Sequence, residues 1–392
     1  MSKPCNIVIT GMGHVTALGI TDSVVLQRIR NGESGIVPVV LDDVLPLLMG
    51  RVREEDFPRT EADMTARYAL HAGQRAWDQA GLTAADYDPW RVATIVGSSK
   101  GRLANLLAGG HVHFDPEDFP GDTLGLALAR RMGLAGPILN YPAACATGIV
   151  CMIRAAQMLQ DDEADVVIAG SGEASGKAVV MASFHNMGAL STQPMRPFHT
   201  ERTGFNPGEG AAVFVLERED DALRRGAHIL AWLRGWDQRA DAYHITSANP
   251  DGATVVESIR RALGRASWQP EAIEYINAHG TGTHLNDLVE SRAICAAFGQ
   301  NGPLVSSLKP YVGHLLGASS AVEIALAMLA LGHGYVPGTL GLNQPDPNIC
   351  LNFVPEGGLS QNRRRFMKLS LGFGGHIGVV AIELNEKAFL PR

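Results

Sequence analysis

Apolar runs of strand length alternate with helix-like runs along almost the whole chain, and this alternation most narrows what it can fold into. Strand candidates are VATIVGSS (92–99), ADVVIAGSGEA (164–174), AAVFVLER (211–218), IEYINAHG (273–280) and VVAIELNE (379–386). Among them lie RYALHAGQRAWDQAG (67–81), CATGIVCMIRAAQMLQ (145–160) and GHLLGASSAVEIALAMLALG (313–332), whose length and apolar content suit helices. Such a succession predicts helices layered on sheet, the α/β class. Two segments also look alike: NIVITGMGHVTALG from 6 and HILAWLRGWDQRADAYH from 228 are each an apolar strand running into a Gly-marked turn. That likeness predicts two similar halves, 1–220 and 221–392, with a seam in REDDALRRGAH (218–228). No Ser- or Pro-rich linker separates them, so the halves should pack intimately.

Composition then removes whole classes of function. A formal charge of −7 and a pI near 6.0 leave no bulk attraction for nucleic acid or an anionic membrane, so an acidic partner must meet a local basic patch. The five cysteines are odd in number, scattered and without a CxxC pair, which argues against a disulfide framework or a zinc site and for a reducing compartment. The N-terminus enters a strand-like stretch without the charged and apolar regions of an export signal, so a cytoplasmic location is expected. AVEIALAMLALG (321–332) is broken by Glu323 and falls short of the ~20 residues a bilayer span requires. It reads as a buried helix. The stretch from 107 to 126 mixes Pro, Gly and acidic residues without period, and reads as a surface excursion, either a pocket wall or a plain loop.

Chemistry-bearing residues concentrate in three distant places. YPAACATGIVC sets Cys145 where an extended segment gives way to a helix, among the small residues Ala143, Ala144, Ala146 and Gly148. A sulfur at a helix N-terminus is expected to favour thiolate, and small neighbours leave room for a bulky acyl chain. By residue type alone Cys145 is equally a small buried hydrophobe, as Cys151 two turns further on is expected to be. EYINAHGTGTHLND puts His279 at a strand end before Thr281 and Thr283, whose hydroxyls can bind amides. VSSLKPYVGHLLGASSAVE places Lys309 five residues before His314, which opens a run of small residues. Proximity to a helix start is expected to hold His314 neutral. Spacing alone does not bring these residues together.

The segments PAACATG, NAHGTGTHLND, SSLKPYVGHLLGASSAVE and GFGG, in that order, closely resemble the four signatures of elongating β-ketoacyl-ACP synthases, members of the thiolase superfamily and including type II polyketide ketosynthases. ITGMGHVTALG, ADVVIAGSGEA, RPFHTERTGFNPGEGAAVFVLE and DAYHITS extend the likeness over most of the chain. The resemblance implies a thiolase fold, a five-layered αβαβα built from two similar halves, with the nucleophile in the first and the histidines and lysine in the second. It implies a 3-oxoacyl-[acyl-carrier-protein] synthase: Cys145 takes the acyl chain, His279 and His314 serve decarboxylation of malonyl-ACP and stabilise the enolate, Lys309 supports them as a cation, and Glu323 holds Lys309. Thr246, Thr281 and Thr283 match positions lining a phosphopantetheine tunnel. Phe373 matches a gating phenylalanine, and the backbone N–H groups of Cys145 and Phe373 an oxyanion hole. No metal and no dissociable cofactor is implied, because phosphopantetheine arrives on acyl carrier protein. The partner set is that carrier, plus a second synthase chain or a chain-length-factor-like subunit in a dimer. Arg59, Arg67 and Arg363 to Arg365 are candidates for a basic rim that docks the carrier.

Departures from the family pattern are Leu371 before the gate, His376 and Ile377 beyond it, and His199 and Thr203 at two usual aspartates. They point away from housekeeping fatty-acid synthesis and toward a specialised polyketide or polyene pathway. Two rivals share the fold: a chain-length-factor-like subunit, whose nucleophile would be replaced, and an acetyl-CoA starter synthase or thiolase, expected to show His and Asn rather than two histidines. A nucleotide-binding dehydrogenase is set aside, since Thr16 stands where the dinucleotide fingerprint after Gly11 and Gly13 needs glycine.

Overall fold

The computed structural model describes residues 6–389 apart from 44, 60–62, 84 and 102–122, so most of the 107–126 excursion lies outside the described residues. Ten strands form one hydrogen-bonded sheet: β1 (Ile7–Val15), β2 (Val92–Gly97), β3 (Ile138–Leu139), β4 (Val166–Glu173), β5 (Gly210–Arg218), β6 (Ala231–Ala240), β7 (Tyr275–Asn277), β8 (Leu304–Ser306), β9 (Arg365–Gly372) and β10 (His376–Leu384). Their spatial order is β8-β7-β9-β10-β6-β1-β5-β4-β2-β3. Counted within its own half, each group of five follows the same path from its outer edge: third, second, fourth, fifth, first. In both groups the outer three strands are parallel and the inner pairings antiparallel. The groups meet where Ile7–Ile9 of β1 pairs antiparallel with Ala231–Leu233 of β6.

Helices complete the layers. α1 (Met64–Ala80) packs on β1 and β5, and α3 (Ala253–Ala266), beside α4 (His284–Phe298), packs on β6 and β10. Between the halves lie α2 (Thr147–Gln160) and α5 (Ser319–Gly332), which touch each other and strands of both halves. With the two five-stranded groups counted as separate layers, the succession is helix, strands, helix, strands, helix, the five-layered arrangement that the resemblance implies.

Position in the layers explains each helix's composition. α5 is buried from Ser319 through Leu331 because protein surrounds it, so it shows no polar face. α1 instead buries one stripe, Tyr68, Ala69, Ala72, Gly73, Ala76 and Ala80; it starts where the Asp63 carboxylate accepts the Thr65 N–H at 2.8 Å and stops at Gly81, in the left-handed region at φ 64°. The look-alike segments are β1 and β6, the central pair, and their shared glycines have one cause. A Cβ at Gly13 would lie 2.0 Å from the Ala72 carbonyl oxygen of α1, and one at Gly235 would lie 2.0 Å from that of Ala262 in α3. Glycine lets each outer helix sit close on its sheet. Among the described residues no helix is long and apolar enough to cross a membrane.

Candidate active site

Three loops converge between the halves. Cys145 sits in a 3-10 turn, Ala144–Ala146, that leads into α2. Ala144 takes φ 48°, a strained value for alanine, and this aims the sulfur out of the turn. His279 follows the end of β7, and His314 precedes a matching 3-10 turn, Leu316–Ala318, ahead of α5. The loop after β9 closes the site, with Gly372 packed so tightly that a Cβ there would lie 2.8 Å from the Ala143 carbonyl oxygen and 3.2 Å from the Cys145 nitrogen. Gly372 of GFGG therefore allows the loop to close against the nucleophile's backbone.

The side chains meet in one buried chamber. His314 Nε2 lies 3.2 Å from Cys145 Sγ. The two imidazoles stand edge to face, centroids 5.6 Å apart at 84°, and Phe205 packs edge-on against His314 at 4.9 Å. His314 Nδ1 lies 2.6 Å from the Ser319 hydroxyl, a group able to donate or accept, so the ring can present either a lone pair or an N–H to the sulfur. Lys309 Nζ donates to the His279 carbonyl at 2.5 Å and lies 3.5 Å from His279 Nδ1. An ammonium facing Nδ1 leaves the ring proton on Nε2. Lys309 also pairs with Glu323 at 2.7 Å, both fully buried.

Electrostatics correct one expectation, the thiolate at Cys145. Burial pushes the Cys145 thiol up to about 11, although Lys309, Lys100 and the Phe373 N–H pull the other way. The resting sulfur is a thiol, so the turn at the helix start does not by itself make a thiolate, and activation requires a proton acceptor. His314 lies well below the ordinary imidazole range, through burial first and then Lys309 and Lys368. His279 is lowered the same way, by burial, Lys309, His314 and Lys368. Both rings are neutral near pH 7.

Around this centre lies a pocket whose lining includes Thr246, Thr281, Thr283, Phe373, Leu371, His376 and Ile377. The Thr281 and Thr283 hydroxyls are 2.9 Å apart, while Thr246 is exposed and donates its N–H to His244 Nδ1 at 3.1 Å. The replacements at 199 and 203 are accommodated structurally: His199 Nε2 lies 3.0 Å from Asn343 Oδ1, and the Thr203 hydroxyl 2.7 Å from that of Ser191. Cys151 is buried in α2, its thiol pushed up to about 12, as expected of a hydrophobe.

Each of the arginines expected at a docking rim already has a partner within the chain. Arg59 is spent on the buried Glu209, and Arg67 donates to the Pro58 carbonyl at 2.7 Å and stacks on Phe57. Arg363, Arg364 and Arg365 pair with Glu274, Glu386 and Glu383 at the start of β9, the end opposite Gly372.

Comparison with known proteins agrees with this geometry. Residues 53–222 match the Beta-ketoacyl synthase, N-terminal domain, and residues 230–343 the Beta-ketoacyl synthase, C-terminal domain. This chain belongs to the β-ketoacyl synthase family. The synthase is 32% identical over 404 residues to 3-oxoacyl-[acyl-carrier-protein] synthase 2 of Coxiella burnetii, covering 96% of this chain and 98% of that one. It is 32% identical to the Granaticin polyketide putative beta-ketoacyl synthase 1 of Streptomyces violaceoruber, across 97% and 99% of the two chains. Among solved structures it is similar to a type II polyketide ketosynthase bound to the hexaketide with its acyl-carrier protein, at TM-score 0.89 and 29% identity over 98% of this chain and 100% of that one. The ishigamide ketosynthase/chain length factor gives TM-score 0.88 at 29% identity, with 98% and 100% coverage.

Several residues of the synthase site escaped the sequence reading. Glu290 on α4 accepts the backbone N–H groups of His279 at 2.5 Å and Gly280 at 2.8 Å, and Asp287 one turn earlier accepts those of Phe198, Thr281 and Gly282. Two acids three apart on a helix that follows a Gly-rich loop were the available signal. Glu173, buried at the end of β4, accepts from Ser98, Ser99, Ser175 and the Gly317 N–H. Lys368 lies fully buried in β9, a lysine inside an otherwise apolar strand.

Proposed function

We propose that Cys145, His279 and His314 carry out a decarboxylative Claisen condensation as a 3-oxoacyl-[acyl-carrier-protein] synthase, supported by Lys309 and Glu323. The observation that carries this reading is one buried thiol 3.2 Å from an imidazole nitrogen, with a second neutral imidazole edge-on beside it. In the first half-reaction His314 accepts the thiol proton as the sulfur attacks an acyl thioester; the phosphopantetheine thiol leaves with a proton, and the acyl group stays on Cys145. The Cys145 and Phe373 N–H groups face the carbonyl oxygen during attack. In the second, malonyl thioester loses carbon dioxide, and His279 and His314 donate hydrogen bonds to the resulting enolate oxygen. The enolate carbon attacks the acyl carbonyl, the new C–C bond forms, and the Cys145 sulfur is expelled and reprotonated. Neutral imidazoles suit both halves, since an imidazolium has no lone pair for the thiol proton.

In this reading residues 1–220 supply the nucleophile and 221–392 the histidines and lysine. Thr246, Thr281 and Thr283 line the path of phosphopantetheine delivered on acyl carrier protein, no dissociable cofactor takes part, and Phe373 gates the pocket. The setting is cytoplasmic, and the product enters fatty-acid or specialised polyketide chains. Incubation with acyl-ACP followed by mass spectrometry tests the assignment: the acyl mass should appear on the protein and vanish in Cys145→Ala. A gain that survives that substitution would refute it. The second reading, a chain-length-factor-like subunit without condensing activity, draws on the ketosynthase/chain length factor among the similar structures. An intact thiol at Cys145 within reach of His314 opposes it, and co-elution with candidate partner chains on a sizing column tests the pairing.

A further inference from the structure

The chemistry above uses Lys309 but leaves a second buried ammonium without a task. Lys368 Nζ donates to Glu323 Oε2 at 2.6 Å and to the Ala278 carbonyl at 2.9 Å, while Lys309 holds Glu323 Oε1 and the His279 carbonyl. One carboxylate is thus shared by two lysines, and two successive carbonyls at the end of β7 are each fixed by one of them. The strand register makes this possible, since Lys368 pairs with Asn277 in the parallel ladder and its side chain reaches the next residue along. Alternation along β9 puts Lys368, Ser370 and Gly372 on one face. Those three step toward the nucleophile: Ser370 donates to the Cys145 carbonyl at 3.2 Å, and Gly372 packs against the Cys145 backbone.

We propose that Lys368 is a positioning residue of the condensing site, which completes the partners of Glu323, clamps the carbonyl before His279 and sets the charge that both imidazoles face. The titratable groups around the two rings are Lys309, Lys368, Glu323 on α5, Glu290 on α4 with Asp287 a turn before it, and the Cys145 thiol. Of these groups the two ammoniums, Lys309 and Lys368, both disfavour protonation of a neighbouring imidazole. Removing Lys368 raises the imidazoles' proton affinity, so His314 loses its lone pair at a higher pH. Glu323 is also left with a buried oxygen that lacks its cation.

This inference rests on the two-histidine reading, and the experiment separates the two. Malonyl-ACP decarboxylation and Cys145 acylation are followed against pH in the wild type, Lys368→Met, Lys368→Gln, Lys368→Arg and His279→Ala, with the melting temperature of each. Lys368→Gln keeps a hydrogen-bond donor but loses the charge and one bond of reach. The acidic limb of Cys145 acylation, which needs the His314 lone pair, should move up by about one pH unit in the Met and Gln variants, roughly a tenfold loss on that limb, with KM for acyl-ACP within about twofold and the limb restored by Arg. A lower melting temperature and kcat with an unmoved limb would reduce Lys368 to a structural residue and overturn the proposal. If His279→Ala keeps decarboxylation, the two-histidine reading fails instead. Histidine ring NMR on the unaltered protein covers variants that do not fold: rings still neutral well below the ordinary 6.5 agree with the proposal, whereas rings titrating near 6.5 contradict it.

Discussion

The two halves contain the same turn, built twice and used differently. In the first, Ala144–Ala146 stands between the third strand and the inner helix α2; in the second, Leu316–Ala318 occupies the corresponding place before α5. Ala144 and Leu316 take the same left-handed φ of 48°. The next residue decides the use. Cys145 projects its sulfur into the chamber, whereas Gly317 has no side chain, because a Cβ there would lie 2.5 Å from the Ser99 nitrogen and 2.9 Å from the Glu173 carboxylate. A duplicated frame thus supplies one nucleophile and, from the segment before the second turn, the imidazole that serves it. The strain is common to both copies and belongs to the frame; reactivity belongs to the side chain and its partner.

The largest effect on this comparison comes from emptying the first turn or its partner. Cys145→Ala should abolish acyl transfer outright. His314→Ala should lower condensation by about 10²–10⁴-fold, the range for loss of a positioned acid–base group, and also slow acylation, since it removes the thiol's proton acceptor. His279→Ala should spare acylation and suppress decarboxylation. Equal loss in both half-reactions for both histidine variants would show that their separate positions have no separate meaning. These outcomes are read by single-turnover acylation and by carbon dioxide release.

Next comes Gly317→Cys, which gives the second turn the first turn's side chain. No second nucleophile should result, because the new sulfur collides with Ser99 and Glu173 instead of facing the chamber. Overpacking of this kind is worth about 1–3 kcal/mol of stability, and Glu173 must also give up the Gly317 N–H. Acylation at position 317, found by peptide mass spectrometry, would show that the turn alone confers reactivity. Smaller again is the pH effect in the unaltered protein. Both imidazoles are lowered, so acylation should persist below pH 6.5 where an ordinary histidine would be mostly protonated, and fall only further into the acid range. On the alkaline side, alkylation of Cys145 should still be rising past pH 9, since burial raises its thiol.

Legibility in the sequence follows how local the cause is. The layered α/β class and the likeness of β1 to β6 are written in strand patterns and in Gly11, Gly13 and Gly235, each answering a neighbouring helix. Cys145, His279, His314, Lys309 and Glu323 stand in short motifs, and the structure brings the first three to one pocket with Lys309 and Glu323 buried behind His279. What the chain order hides is who pays the electrostatic cost. The thiol's rise and the imidazoles' fall come from burial between two halves, and Lys368 reaches the site from a strand far along the chain, while Glu290, three residues past NAHGTGTHLND, is signalled only by its helical spacing from Asp287. Lys368 left one trace, a charge inside FMKLSLG, that only a strand buried on both faces makes meaningful.

The smallest expected effect concerns the arginines at the start of β9, where sequence and structure part. Arg365 lies seven residues before Gly372, roughly 23 Å along an extended strand, and its guanidinium pairs with Glu383 on the neighbouring strand at 3.0 Å. A carrier protein delivering a thioester to Cys145 must dock at the pocket mouth, where Thr246, Thr283, Leu285 and His244 line the opening. Charge alone attracts only over about 8–10 Å at ordinary ionic strength, so Arg365 is beyond useful reach of a carrier seated there. Arg365→Glu should change the apparent affinity for acyl carrier protein by less than about twofold. Its effect on stability should stay within about 1 kcal/mol, as for a partly exposed ion pair. A clear loss of affinity with unchanged melting temperature would move the docking surface to the far end of β9, and with it the path by which the thioester reaches the first turn.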